Sequence, residues 1–161
     1  MGLNAKLSTA LVAGVLATGV AATTAHAAAP QTAPVAAEAA ATAASLNLSG
    51  NCSAARGNYG NLKAYYYTRG RNDIFNRMNW YLGGPGLRDR NNVTLRLREH
   101  LNGRSDRTLW KWVSGDNVRK GTGGISLNEA VPRRAKVHAD FTFVFDRRGN
   151  DPRCSGRTNS V

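Results

Sequence analysis

Cysteine and histidine are scarce in this sequence, two and three residues among 161. Two cysteines cannot complete a four-ligand zinc site, and three dispersed histidines supply no ligand cluster, so neither a metal nor any other cofactor is expected. The cysteines do not form a Cys-x-x-Cys pair, which argues against redox activity. Acidic groups are few as well: 10 Asp and Glu stand against 22 Lys and Arg, a formal net charge of +12. No Gly-x-Ser-x-Gly element completes a nucleophile elbow. Gly121-Thr122-Gly123-Gly124 lacks the spacing, and the following Lys-Ser/Thr, of a phosphate loop. No internal repeat is present.

Residues 1–27 have the form of a secretory signal peptide. Lys6 gives a positive start, Leu7 to Val20 is rich in Ala, Val and Leu, and Ala25-His26-Ala27 offers a small-x-small cleavage site. The apolar run falls short of the roughly 20 residues that span a bilayer, so a cleaved leader is expected rather than an anchor. No cysteine sits at the cleavage point to carry a lipid, and no second apolar stretch follows. Export in soluble form, without integration into a membrane, is the expectation. Residues 28–45 are mostly Ala, Pro and Thr with almost nothing large and apolar to bury, which predicts a disordered or weakly helical linker.

The folded unit is expected over residues 46–161. All the aromatic residues and both cysteines lie in it, and since only Lys6 and Glu38 lie outside, it carries the whole +12. Leu, Ile, Val and Phe make up only 23 of its 116 residues, a lean supply for a core. Large Trp and Tyr rings add area to bury. A covalent staple suits such a chain. Export to an oxidising compartment and a single possible intramolecular pairing predict a Cys52–Cys154 disulfide, closing a loop of about 100 residues. An intermolecular bridge or two free thiols are the alternatives.

The apolar pattern alternates more than it spirals. Val137, Ala139, Phe141, Phe143 and Phe145 take every second position, with polar residues between. Val93, Leu95 and Leu97 alternate with Thr94, Arg96 and Arg98. Ile74, Met78, Trp80 and Leu82 are expected on one face, away from Arg77, Asn79 and Tyr81; strand is read there over a helix from Ile74 to Leu82, because Trp80 fits the alternation. Leu62 to Thr68, Thr108 to Val113 and, more weakly, Ile125 to Val131 also read as strands. Gly83-Gly84-Pro85-Gly86 opens a loop running to Asn91, and Asn102-Gly103, Ser114 to Asn117, Gly121 to Gly124 and Pro132 punctuate the rest. The fold class predicted is all-β, an antiparallel sandwich of six or seven strands, immunoglobulin-like or barrel-like, held by one disulfide.

From Phe143 the chain leaves a strand, turns at Gly149-Asn150-Asp151-Pro152, reaches Cys154 and ends in a polar tail. With the leader and the single wide disulfide, this spacing resembles small secreted actinobacterial proteins of uncharacterised function. The resemblance covers most of the unit, implies export and a β-rich fold, and carries over no site residue.

Three functional readings follow. The first rests on charge. Seventeen of the basic groups are Arg, which favours bidentate contact with phosphate or carboxylate. Arg77, Arg96 and Arg98, with Tyr81, are expected to share one solvent face suited to an acidic polymer (teichoic acid or extracellular nucleic acid), an acidic surface or an acidic protein. The bland alternative is surface charge serving solubility. The second is a small secreted hydrolase, nuclease chemistry first: Glu99, His100 and His138, with Arg96 or Arg98, are the right residue types for acid–base work on a phosphate. Against it, Glu99 and His100 are adjacent and should diverge, and His138 is expected as an exposed partner of Asp140. A Ser126–His138–Asp140 triad has nothing to bring its serine close. The third is an inhibitor or toxin-like protein acting through the 83–91 loop. Asp146, Asn150 and Asp151 have oxygen ligands for calcium, but Arg147, Arg148 and Arg153 around them oppose a cation, so a salt-bridged turn is expected.

Overall fold

The computed structural model describes residues 45–161; the expected leader and all but the last residue of the linker lie outside them. Eight strands build the unit: β1 (Leu46–Ser53), β2 (Tyr59–Arg69), β3 (Asn72–Gly83), β4 (Asn92–Glu99), β5 (Arg107–Val113), β6 (Gly121–Pro132), β7 (Val137–Val144) and β8 (Arg153–Arg157). They form two four-stranded antiparallel sheets, ordered β1-β2-β3-β6 and β5-β4-β7-β8. The all-β sandwich is as predicted, with one strand more than the upper count. No helix of the described residues is long and apolar enough to cross a membrane.

Alternation decides which side chains enter the core. Leu62, Ala64, Met78, Trp80 and Leu82 point inward from the first sheet. Val93, Leu95, Leu97, Ala139, Phe141 and Phe143 meet them from the second. Few aliphatics suffice because aromatic rings bridge the layers. Phe141, Phe143 and Phe145 pack in series, and Trp80 of β3 stacks on Trp112 of β5 with centroids 5.4 Å apart. Glycines let those rings approach the backbone. A Cβ at Gly123 would lie 2.5 Å from the Trp80 indole, and one at Gly60 would strike the Phe143 ring. That requirement explains why Gly121 to Gly124, expected as a turn, is the start of β6: Trp80 needs bare backbone beneath it.

The strand missed in the sequence is β8. The supposed polar tail pairs with β7 from Asp140↔Arg157 to Val144↔Arg153. Its inward positions are Cys154 and Gly156, so it gives almost no apolar alternation. β8 meets β1 along the sandwich edge, where Cys52 and Cys154 are bonded with Cα atoms 5.8 Å apart. Asn159 donates its backbone N–H to the Ser49 carbonyl at 3.1 Å and accepts the Ser49 N–H on Oδ1 at 2.7 Å. With the cysteines 102 positions apart in sequence, restriction of the unfolded chain is worth up to about 4–5 kcal/mol. Beyond β8 the chain runs on beside β7, and Val161 exchanges both backbone hydrogen bonds with Val137 at 3.0 Å.

Candidate anion-binding site

The outer face of the β5-β4-β7-β8 sheet is read directly from its register. One row across it is Val113, Thr94, Thr142 and Ser155. The next is Lys111, Arg96, Asp140 and Arg157. Between these rows lies an open groove of about 560 Å³. Thr94, Thr142 and Ser155 supply hydroxyls, with Thr142 Oγ1 and Ser155 Oγ 2.8 Å apart, while Arg96, Arg153 and Arg157 supply the charge. Among the described residues Arg96 and Arg153 have no carboxylate partner within salt-bridge distance.

One end of the groove is made rigid by a network of ion pairs. Asp140 takes Arg157 Nε on Oδ1 at 2.8 Å and Arg98 Nη1 on Oδ2 at 3.2 Å. Arg98 also donates Nη2 to the Asp106 carbonyl at 2.6 Å. Asp106, from the turn between β4 and β5, lies 3.0 Å from His100 Nδ1 and 3.4 Å from Arg157 Nη2. His138 Nε2 sits 3.5 Å from both Asp106 Oδ2 and Asp140 Oδ1, too far for a good hydrogen bond, and finds no hydrogen-bond partner among the described residues. The two arginines offset the two carboxylates here, so Asp140 does not cancel the free charge of Arg96 and Arg153.

Protonation states follow from that packing. Burial depresses His138, and Arg157 and Arg98 depress it further; Asp140 and Asp106 only partly oppose them, so it titrates below its ordinary value. For Asp106, burial pulls upward. The His100 hydrogen bond, the charge of His138 and the Leu101 N–H outweigh it, and the carboxyl lies below the ordinary value. Hydrogen bonding to Asp140, with the pull of both carboxylates, raises Arg157 against the effect of burial.

Several expectations need correcting. Arg77 and Tyr81 do not share a face with Arg96 and Arg98. They lie on β3 in the other sheet, on the opposite outer surface, because alternation fixes inside from outside but not which sheet a strand joins. Arg98 is structural rather than free, its side chain 23% exposed within the network. His138 is not exposed: its side chain is 2% accessible, overlain by Arg98, Arg157 and the 100–106 turn. Glu99 and His100 do diverge, Glu99 to Arg107 Nη2 at 2.6 Å and His100 to Asp106. His100 and His138 are thus brought to one carboxylate, but only His100 is accessible, so they do not form an acid–base pair facing a common ligand.

Sequence reasoning does not place Arg153 and Arg157 in a site, because the segment holding them does not read as a strand. Their i, i+2, i+4 spacing with Ser155 is the signal that could have found them.

The remaining candidates are set in structural roles or lack the same preparation. Asp146 accepts the Arg90 N–H at 3.1 Å and Asp151 the Arg147 N–H at 2.9 Å, so these acids do hold the turn, but through backbone N–H groups rather than the salt bridges expected of them. No cluster of three metal-ligating side chains is found among the described residues. Within the 83–91 loop Leu87 is buried, and the Arg88 N–H is bonded to the Asp146 carbonyl at 3.0 Å. Arg71, Arg133 and Arg134 line a second cationic hollow of about 460 Å³ at one end of the molecule. It is made of exposed turn residues and has no hydroxyl row. The sequence matches no protein-family model and no curated protein.

Proposed function

We propose that this chain is an exported cationic binding protein whose groove on β4, β7 and β8 takes an acidic polymer, with phosphate as the preferred anion. The leader pattern and the disulfide support export. The observation that carries the ligand reading is the pair of unpartnered guanidinium groups, Arg96 and Arg153, beside a row of hydroxyls on rigid strands. Guanidinium groups give paired N–H donors to a phosphate, and hydroxyls add neutral ones. The groove is shallow and open-ended, which suits a chain rather than an enclosed small molecule.

Long-chain inorganic polyphosphate is the direct probe. Each contact that releases a counterion gives a slope of about −0.7 to −0.9 in log K against log salt on nucleic acids, so three contacts give about −2 to −3. Arg96→Gln and Arg153→Gln are each expected to weaken binding several-fold and to reduce the slope by about one. Binding that ignores salt, or survives both substitutions, contradicts the reading. RNA incubated with the protein is expected to remain intact; cleavage abolished by His100→Ala would favour the hydrolase reading instead.

A further inference from the structure

The opposite outer face, on β1-β2-β3-β6, has different chemistry. One row across it is Asn51, Asn61, Tyr81 and Thr122, and the next is Ser49, Lys63, Asn79 and Gly124. Amides and hydroxyls dominate, and each both donates and accepts. Tyr59 and Tyr81 are 45% and 38% exposed, with ring centroids 5.9 Å apart and planes 33° from parallel. Both rings lean over Gly83, where a Cβ would fall 2.8 Å from each. Side by side over bare backbone, the two part-exposed rings make one aromatic platform.

Beside the platform is a depression of about 450 Å³ lined by Asn51, Asn61, Lys63 and Tyr81. A smaller one of about 250 Å³ holds Tyr65, Arg77 and Asn79. Each depression contains one cation and no carboxylate. Arg77 is oriented by Asn79, whose Oδ1 takes its Nε–H at 2.7 Å.

We propose that this face is a second binding site, for an acidic polysaccharide. The C–H faces of pyranose rings stack on flat phenols, and sugar hydroxyls match groups that donate and accept at once. The charge complementarity is specific. Among the described residues Lys63 and Arg77 have no carboxylate within salt-bridge distance, so carboxylates on the sugar rings would be their partners. A single-stranded nucleic acid also stacks on aromatics, but its phosphate at every nucleotide calls for a cationic track. Here cations are isolated among neutral amides, which favours the glycan.

The test is calorimetric titration of the full chain with oligogalacturonate, in saturating polyphosphate so that the groove is filled. Binding is expected under those conditions, weakened at least ten-fold by Tyr81→Ala and several-fold by Lys63→Gln, and retained by Tyr81→Phe, which keeps the platform. A neutral galactan is expected to bind more weakly. The proposal is overturned if polyphosphate abolishes oligogalacturonate binding, if Tyr81→Ala of unchanged melting temperature binds normally, if the neutral galactan binds equally well, or if single-stranded DNA displaces oligogalacturonate from the polyphosphate-filled protein. Loss of polyphosphate binding by itself would strike the groove and leave this site standing, so the two claims fail separately.

Discussion

At the scale of single residues, His138 is the group whose chemistry departs furthest from its sequence context. It alternates with apolar residues on β7 and points to the outer face, the pattern of an exposed side chain. Exposure is lost because Arg98 and Arg157 reach over it from the flanking strands toward Asp140 and Asp106. No property of the segment 137–145 contains those neighbours. The consequence for stability has a definite sign. A histidine depressed in the folded state favours folding while neutral, so its contribution is complete above its ordinary value of 6.5 and is lost as pH falls through the lower folded value. Asp106, also depressed, adds a second loss as pH falls below 3.8. Melting temperature is therefore expected to be level above neutrality and to decline below about pH 6.5, and His138→Gln should flatten the first part of that decline. An equally steep decline in the variant would assign it to other groups. The network of Asp140, Asp106, Arg98 and Arg157 remains in that variant, so the comparison isolates the imidazole.

At the scale of elements, strands with one apolar face were legible and strands made of polar residues or glycine were not. β4 and β7 announce themselves through Val93, Leu95 and Leu97, and through the phenylalanines. β8 conceals itself because a half-cystine and a glycine occupy its inward positions. Gly156 is required sterically, since a Cβ there would lie 2.5 Å from Phe141 Cζ and 3.0 Å from the Asn51 carbonyl. Gly156→Ala is expected to cost about 1–3 kcal/mol through overpacking. That loss would be read as a drop in melting temperature of several degrees. Gly115→Ala is the control, since its Cβ would meet nothing closer than 3.8 Å, and a change within about 0.5 kcal/mol is expected. A tolerated Gly156→Ala would mean that β8 is not packed against Phe141 as described. The same close packing carries Arg153 and Arg157 to the rim of the groove, so the element least visible in the sequence supplies much of the candidate site.

At the scale of the molecule, the central feature is how the positive charge is distributed. Composition establishes an excess of +12 but not its arrangement. Parity along each strand correctly places Arg77, Arg96 and Arg98 outside. Strand order, set by long-range pairing, then puts Arg77 on one surface and the other two on the opposite one. The result is a two-faced sandwich. One face gathers arginines and hydroxyls around a groove, while the other spaces isolated cations among amides and tyrosines. The disulfide and the β1–β8 contact bind the sheets along the edge next to that groove, which keeps its arginines in register.

The most direct measurement of this arrangement is a map of backbone amide shifts in a nuclear magnetic resonance titration with short-chain polyphosphate. The largest shifts are expected at Thr94, Arg96, Thr142, Arg153 and Ser155, vanishing in the Arg96→Gln, Arg153→Gln double variant. Shifts spread evenly over all exposed arginines, or centred on Arg71, Arg133 and Arg134, would contradict it.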